Sequence, residues 1–174
     1  GRVLFRSITP GYCREPELTR KAFDEEGYYR LGDAFKFDDP DDPAKGLMFD
    51  GRIAEDFKLS TGTWVSVGPL RARFIDHFAP LVRDAVFAGP DRDDIAALVF
   101  PEIEGCRKLA PEHAGNAASA DVFNDVRVRN RFAALLETLA AQSLGSSTRV
   151  TRILLLAEPP SMDKGEMTDK GSIN

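Results

Sequence analysis

The chain has 174 residues, enough for about one domain, or one small domain plus a piece of another. It is 43% hydrophobic and 29% charged, the composition of an ordinary globular protein. A net charge of −5 argues against nucleic acid or an anionic membrane surface as the main partner, and no apolar run approaches the ~20 residues that span a bilayer. Cys13 and Cys106 are too few for a disulfide framework, so reduced thiols in a cytoplasmic protein are expected. The first residues do not read as a signal peptide, and none is expected. The chain opens without Met in strand-like alternation and closes just after a charged turn, so both ends read as cuts through a longer protein.

Val3 to Ile8 alternates like a strand, and Thr9-Pro10-Gly11 reads as a turn. Pro16 to Phe23 predicts a short helix, with Pro in its first turn and Gly27 breaking the chain after it. Tyr28 to Phe37 predicts a strand pair interrupted at Gly32-Asp33. Asp38 to Lys45 is a solvated loop. Gly46 to Ile53 and Phe57 to Leu59 read as strands around an Asp50-Gly51 hairpin signal.

From Pro69 the period becomes helical, with Leu70, Phe74, His77, Phe78 and Leu81 on one face. Strands are predicted at Asp84 to Ala88 and Ile95 to Phe100, joined by the polar turn Gly89 to Asp94. Glu102 to Ser119 reads as a loop. Asp121 is the expected N-cap of the longest helix, whose stripe is Val122, Val126, Phe132, Leu135, Leu136 and Leu139, with Gly145 ending it. Val150 to Ala157 is a further strand, stopped by Pro159-Pro160. The order β-α-β-β-α-β implies an α+β fold, a sheet with packed helices.

Asp33 follows Gly32 after an aromatic stretch. Its carboxylate either satisfies a tight turn through its own backbone or is free to accept hydrogen bonds from a ribose diol. Arg52 is either a surface ion-pair partner of Asp50, Glu55 or Asp56, or a guanidinium able to reach phosphate oxygens. Lys58 reads as an exposed strand lysine. Ser60-Thr61-Gly62-Thr63 lets a ligand approach the backbone closely at Gly62, but no Gly-Lys-Ser/Thr follows, so it is no Walker-type loop. Trp64, the only tryptophan, is expected in the core, the alternative being the wall of a channel. Lys170 beside Gly171 is either a solvated lysine or a mobile cation for a reacting oxyanion. His77 and His113 have no partner at metal-ligand spacing, and no GxSxG elbow is present, so neither a metal site nor a Ser or Cys hydrolase is expected.

Taken in order, these segments resemble the adenylate-forming superfamily of acyl-CoA synthetases, firefly luciferase and peptide-synthetase adenylation domains. GYCREPELTRKAFDEEGYYRLGD (Gly11 to Asp33) is similar to its Gly-Tyr…Pro…Thr…Phe…Gly-Tyr/Phe-Arg-Thr-Gly-Asp run. DGRIAEDFKLSTGTWVSVGPLRA (Asp50 to Ala72) is similar to the segment that begins at the hinge between its two domains. TGTWVSVG and EPPSMDKGEMTDKGSIN look most like aromatic-acid CoA ligases of the feruloyl-CoA synthase type. The resemblance implies that residues 1–53 end a large AMP-binding domain and that 54–174 form a small C-terminal lid.

It implies ATP with Mg2+ and CoA as cofactors, a carboxylic acid as substrate and the upstream large domain as partner. By position, Asp33 would bind ribose hydroxyls and Arg52 ribose or phosphate. The loop around Gly62 would serve thioester formation and help line the pantetheine channel, Lys58 matches the family's lysine near that loop, and Trp64 is a further expected cofactor contact. Ala54 occupies the family's hinge Asp or Lys position, with Glu55 the nearest charge. The family's final lysine would fall at Ser172, and Lys170 is assigned its role. The alternative reading is a non-catalytic α+β binding module.

Overall fold

The computed structural model describes residues 9–113, 115, 117–167 and 173. The chain divides into two compact units between Glu55 and Asp56. The strand expected at Val3 to Ile8 lies outside the described residues.

In the first unit, helix α1 (Pro16–Ala22) starts on its proline, whose missing N–H sits where a helix needs none. Thr9 Oγ1 donates to the Gly11 carbonyl at 2.9 Å, closing the expected turn. Strand β1 (Asp33–Phe37) pairs antiparallel with β2 (Leu47–Arg52). The predicted strand pair shrinks to β1 alone, because Tyr28 and Tyr29 are spent on a return against α1: Tyr29 bridges Phe23, and its ring lies edge-on to Phe23 at 5.4 Å.

Asp50-Gly51 is not a hairpin turn. The connection between β1 and β2 is the acidic loop 38–46, and Asp50-Gly51 lies inside β2. Asp33 pairs with Arg52 and Phe35 with Phe49, so β2 carries one residue more than β1 between those rungs. This is a β-bulge, and Gly51 takes the φ of +107° that a side chain would resist.

The second unit begins with a two-rung hairpin, β3 (Phe57–Lys58) against β4 (Trp64–Val65). Helix α2 (Val67–Phe78) follows, with the Asp56 carboxylate accepting from the Val67 N–H at 2.8 Å at its start. A three-stranded sheet has the order β5 (Val82–Ala88), β6 (Ile95–Pro101), β7 (Val150–Leu155), with β5 antiparallel and β7 parallel to β6. The crossover from β6 to β7 carries α3 (Ile103–Leu109), α4 (Ser119–Asn124) and α5 (Val126–Ala141). A parallel pair needs such a long connection.

Ile95, Ala97 and Val99 alternate inward along β6 and are buried. Leu70, Phe74 and Phe78 recur on one face of α2 and meet them. Phe74 stacks on Phe78 at 4.3 Å and meets Phe87 of β5 edge-on at 5.4 Å. Phe78 continues to Phe132 of α5 at 5.7 Å. Helix, sheet and crossover are thus joined through one aromatic column. The fold is mixed α+β, as the element order implied.

Three details depart from the sequence reading. The expected loop 102–119 contains α3, since Gly105 and Cys106 are buried on the chain at Pro80 and Leu81. Burial pushes the Cys106 thiol up to about 11, with Glu102 adding to it, so this thiol packs as an apolar group. The long helix does not start at Asp121. The chain breaks after α4, and Asp125 caps α5 by accepting from the Arg127 N–H at 2.8 Å. That helix ends at Ala141, before Gly145.

Candidate functional site

In the first unit the bulge at Asp50-Gly51 decides the site. It shifts β2 so that Asp33 and Arg52 become direct cross-strand partners at the end of the β1–β2 ladder. Two residues expected to contact nucleotide are therefore paired across the ladder at their backbones, without an ion pair between their side chains. Arg52 is exposed and forms no ion pair among the described residues. Two of its three expected partners are engaged elsewhere: Asp50 lies 2.8 Å from the Lys36 ammonium, and Asp56 caps α2.

The same hairpin exposes a row of apolar groups. Phe35 faces Phe49 and Phe37 faces Leu47, with all four between 36% and 58% exposed. Paired positions two apart share a face. An apolar row this open marks an interaction surface or a ligand groove.

Ala54 and Glu55 form a single 3-10 turn with Ile53, next to the division of the chain into its two units. Neither residue is buried.

In the second unit Ser60 to Thr63 form the tip of the β3–β4 hairpin. The Gly62 N–H donates to the Leu59 carbonyl and the Leu59 N–H to the Thr63 carbonyl, each at 2.9 Å. Gly62 has φ +80°, and a Cβ there would meet nothing within 4 Å. The glycine is required by the turn, and the space beside it is open to a ligand.

Trp64 is not in the core. It is 49% exposed on β4, where the inward position belongs to Val65 at 0%. Strand alternation leaves only one of two neighbours inside, and Val65 takes the inner place. Lys58, its partner across the ladder, holds its ammonium 5.8 Å over the Trp64 ring, a cation–π contact. Lys58, Gly62 and Trp64 are thus gathered at one hairpin end.

The reading of 89–94 as a plain polar turn missed its contacts with this hairpin. Asp93 accepts from Ser60 Oγ at 2.5 Å. Asp94, on the same turn, is held below the usual carboxylate range by the Thr151 hydroxyl and by Arg152. Clustered aspartates in GPDRDD were the available signal, but their partners lie far away in the chain.

His77 lies on the inner side of α2 as expected, and its Nε2 donates to the Leu135 carbonyl at 2.9 Å, tying α2 to α5. Lys170 and Ser172 fall outside the described residues. Among the described residues no three His, Cys, Asp or Glu side chains come together as a metal site, and no helix is long and apolar enough to cross a membrane.

A hairpin, a helix and a three-stranded sheet with a helical crossover make the second unit a small α+β domain similar to the C-terminal subdomain of adenylation domains. The chain resembles known adenylate-forming proteins over nearly its whole length. It is 27% identical over 171 residues to a carboxylic acid reductase of Segniliparus rugosus, which covers 97% of this chain. It is 22% identical over 173 residues to a chloroplast long-chain-fatty-acid–acyl-carrier-protein ligase of Arabidopsis thaliana.

Among solved structures it matches the A domain of that Segniliparus rugosus reductase, in complex with AMP and a co-purified carboxylic acid. That match has a TM-score of 0.66 at 25% identity and covers 97% of this chain. The chain spans 13% of the reductase, 22% of the plant ligase and 24% of the solved A domain. No family model matches it.

Proposed function

We propose that this chain is the C-terminal part of an ATP-dependent enzyme that activates a carboxylic acid as its adenylate and passes the acyl group to a thiol. Residues 1–53 are the end of the large AMP-binding domain, and 54–174 are its lid. The observation that carries this reading is the conjunction of motif order with fold. The Gly11–Asp33 and Asp50–Ala72 runs occur in family order on a chain that matches an AMP-bound A domain over 97% of its length.

In the first step a carboxylate oxygen attacks the α-phosphate of ATP, and the bond to pyrophosphate breaks. In the second, a thiolate attacks the acyl carbon and AMP leaves. Asp33 accepts hydrogen bonds from the ribose diol. Arg52, beside it, offers its guanidinium to ribose or phosphate. Lys170 steadies negative charge on the reacting oxygens. The segment at Ala54-Glu55 is the pivot between the two steps, although the charged residue expected there is replaced by alanine. Lys58, Gly62 and Trp64 face the thiol arm.

No three His, Cys, Asp or Glu side chains gather among the described residues, and Mg2+ bound to a nucleotide needs only one or two carboxylates beside the phosphates. In this reading the ion arrives with ATP. The open aromatic face of the β1–β2 hairpin supports a large domain as its cover. A cytoplasmic setting, from the scarcity of cysteine, belongs to the same reading.

The finer assignment is an acid–CoA ligase acting on a hydroxycinnamic or other aromatic acid, on the likeness to feruloyl-CoA synthase. The relatives favour a second reading for the acceptor. One is a reductase and another a ligase to acyl-carrier protein, so the thiol of a carrier protein competes with that of CoA. Supplying acyl-adenylate with either CoA or a loaded carrier protein separates these two. The rival class, a non-catalytic binding module, requires that no Thr/Ser/Gly-rich loop ending in Lys precede this region in the gene.

The test is Lys170→Ala in the full-length enzyme. Pyrophosphate exchange should fall about 100-fold or more, the loss typical of one removed oxyanion donor. Thioester formation from supplied acyl-adenylate should persist. Normal pyrophosphate exchange in that variant would remove Lys170 from the mechanism.

A further inference from the structure

The turn 60–63 has little foundation of its own. β3 and β4 contribute two residues each, and so short a hairpin does not stand alone. Its support is the connection between β5 and β6. The Asp91 N–H donates to the Lys58 carbonyl at 3.0 Å, and the Ser60 N–H donates to the Arg92 carbonyl at 2.9 Å. Ser60 Oγ then donates to the Asp93 carboxylate at 2.5 Å. Beneath, Phe57 and Leu59 press on Gly89. A Cβ there would lie 3.0 Å from Phe57 Cε2 and 3.4 Å from Leu59 Cδ2, and 2.8 Å from the Asp94 carbonyl.

The two backbone bonds hold Lys58 and Ser60, so the Asp93 bond adds a side-chain hold to a residue whose backbone is already tied. The Ser60–Asp93 bond holds the residue from which the tip departs, and it is charge-assisted, hence among the stronger hydrogen bonds. The tip is closed on itself by the Leu59–Thr63 and Gly62–Leu59 backbone bonds, but beyond Ser60 its side-chain ties to the rest of the unit are weaker. The Thr61 and Thr63 hydroxyls lie 2.9 Å apart, and Ser146 Oγ reaches Thr63 Oγ1 only at 3.5 Å. Beside Gly62 the space is open. The orientation of the tip is therefore set from the Ser60 side.

We propose that Asp93 is a positioning residue. By holding Ser60 it keeps the 60–63 turn in the orientation that admits the thiol arm, a role that rests on the thiol-transfer reading above. Asp93 touches neither substrate nor nucleotide in this role. It raises the fraction of molecules whose turn is already placed for transfer.

In the full-length enzyme the two half-reactions are measured separately, by pyrophosphate exchange and by transfer from supplied acyl-adenylate. Asp93→Ala should lower kcat/KM of transfer roughly 10- to 100-fold, chiefly through a raised KM for thiol because fewer molecules hold the admitting turn, with the exchange rate nearly unchanged. Asp93→Asn keeps an oxygen that accepts from Ser60 and should recover most of the rate. Ser60→Ala should reproduce the loss, and the double variant should add nothing to it.

Transfer at the wild-type rate in Asp93→Ala overturns the proposal. So does equal impairment of the Ala and Asn variants, or parallel loss of both half-reactions with a lowered Tm, which marks a purely structural role. If the wild-type enzyme forms no adenylate, the functional reading fails instead. Amide exchange at Ser60 and Gly62 then tests the clamp: faster exchange in the Ala variant than in the Asn variant supports it, and equal exchange overturns it.

Discussion

Single residues here are governed by what lies opposite them. Gly105 sits inside α3, where alanine would ordinarily gain up to ~1 kcal/mol of helix propensity. The site reverses that preference, because a Cβ would lie 2.5 Å from the Pro80 carbonyl, a backbone atom that cannot swing away. Gly105→Ala should therefore destabilise the protein by about 1–3 kcal/mol, the usual cost of overpacking, read as a lowered urea midpoint with unchanged slope. Trp64 teaches the same lesson in reverse. Its size favoured burial, but the pleat of β4 allotted the inner position to Val65.

At the scale of elements, the junction between α4 and α5 is held by charge. Asp125 caps α5, Arg127 bonds both Asp125 and Glu112, and His113 stands 3.3 Å from Asp125. The Arg127 side chain holds the Asp125 carboxyl well below the usual carboxylate range, its backbone N–H lowering it further. A carboxyl depressed in the folded state binds its proton more readily when unfolded. Its contribution is in place above about pH 4 and is lost as pH falls from there through the folded value. Arg127→Ala raises that folded value, so the acid-unfolding midpoint should move to higher pH. Circular dichroism against pH checks this, and an unmoved midpoint would refute it. The sequence reading found this helix by its period but set its start at Asp121. Both aspartates suit a cap; only the turn in the chain after Asn124 selects the second.

For the whole molecule, the buried hydrophobic cluster among the described residues runs from Phe57 to Val150, and all its members lie in the second unit. Residues 56–174 by themselves should give one cooperative urea transition. Residues 1–55 alone should give none, because the short helix and two-stranded hairpin among their described residues, with an open aromatic face, bury too little. Loss of cooperativity in 56–174 would refute this assignment of the core. The sequence by itself determined the α+β class, the apolar face of α2, the strands of the sheet and the order of motifs. Each of these rests on local period or on spacing along the chain, which a linear reading preserves. Only the tertiary structure decided that Asp50-Gly51 is a bulge, that Asp33 thereby stands opposite Arg52, that α3 forms beside Pro80, and that Asp93 meets Ser60. Those facts depend on which strands and turns become neighbours. Partners such as Ser60 and Asp93 lie 33 residues apart, so no local pattern records their meeting.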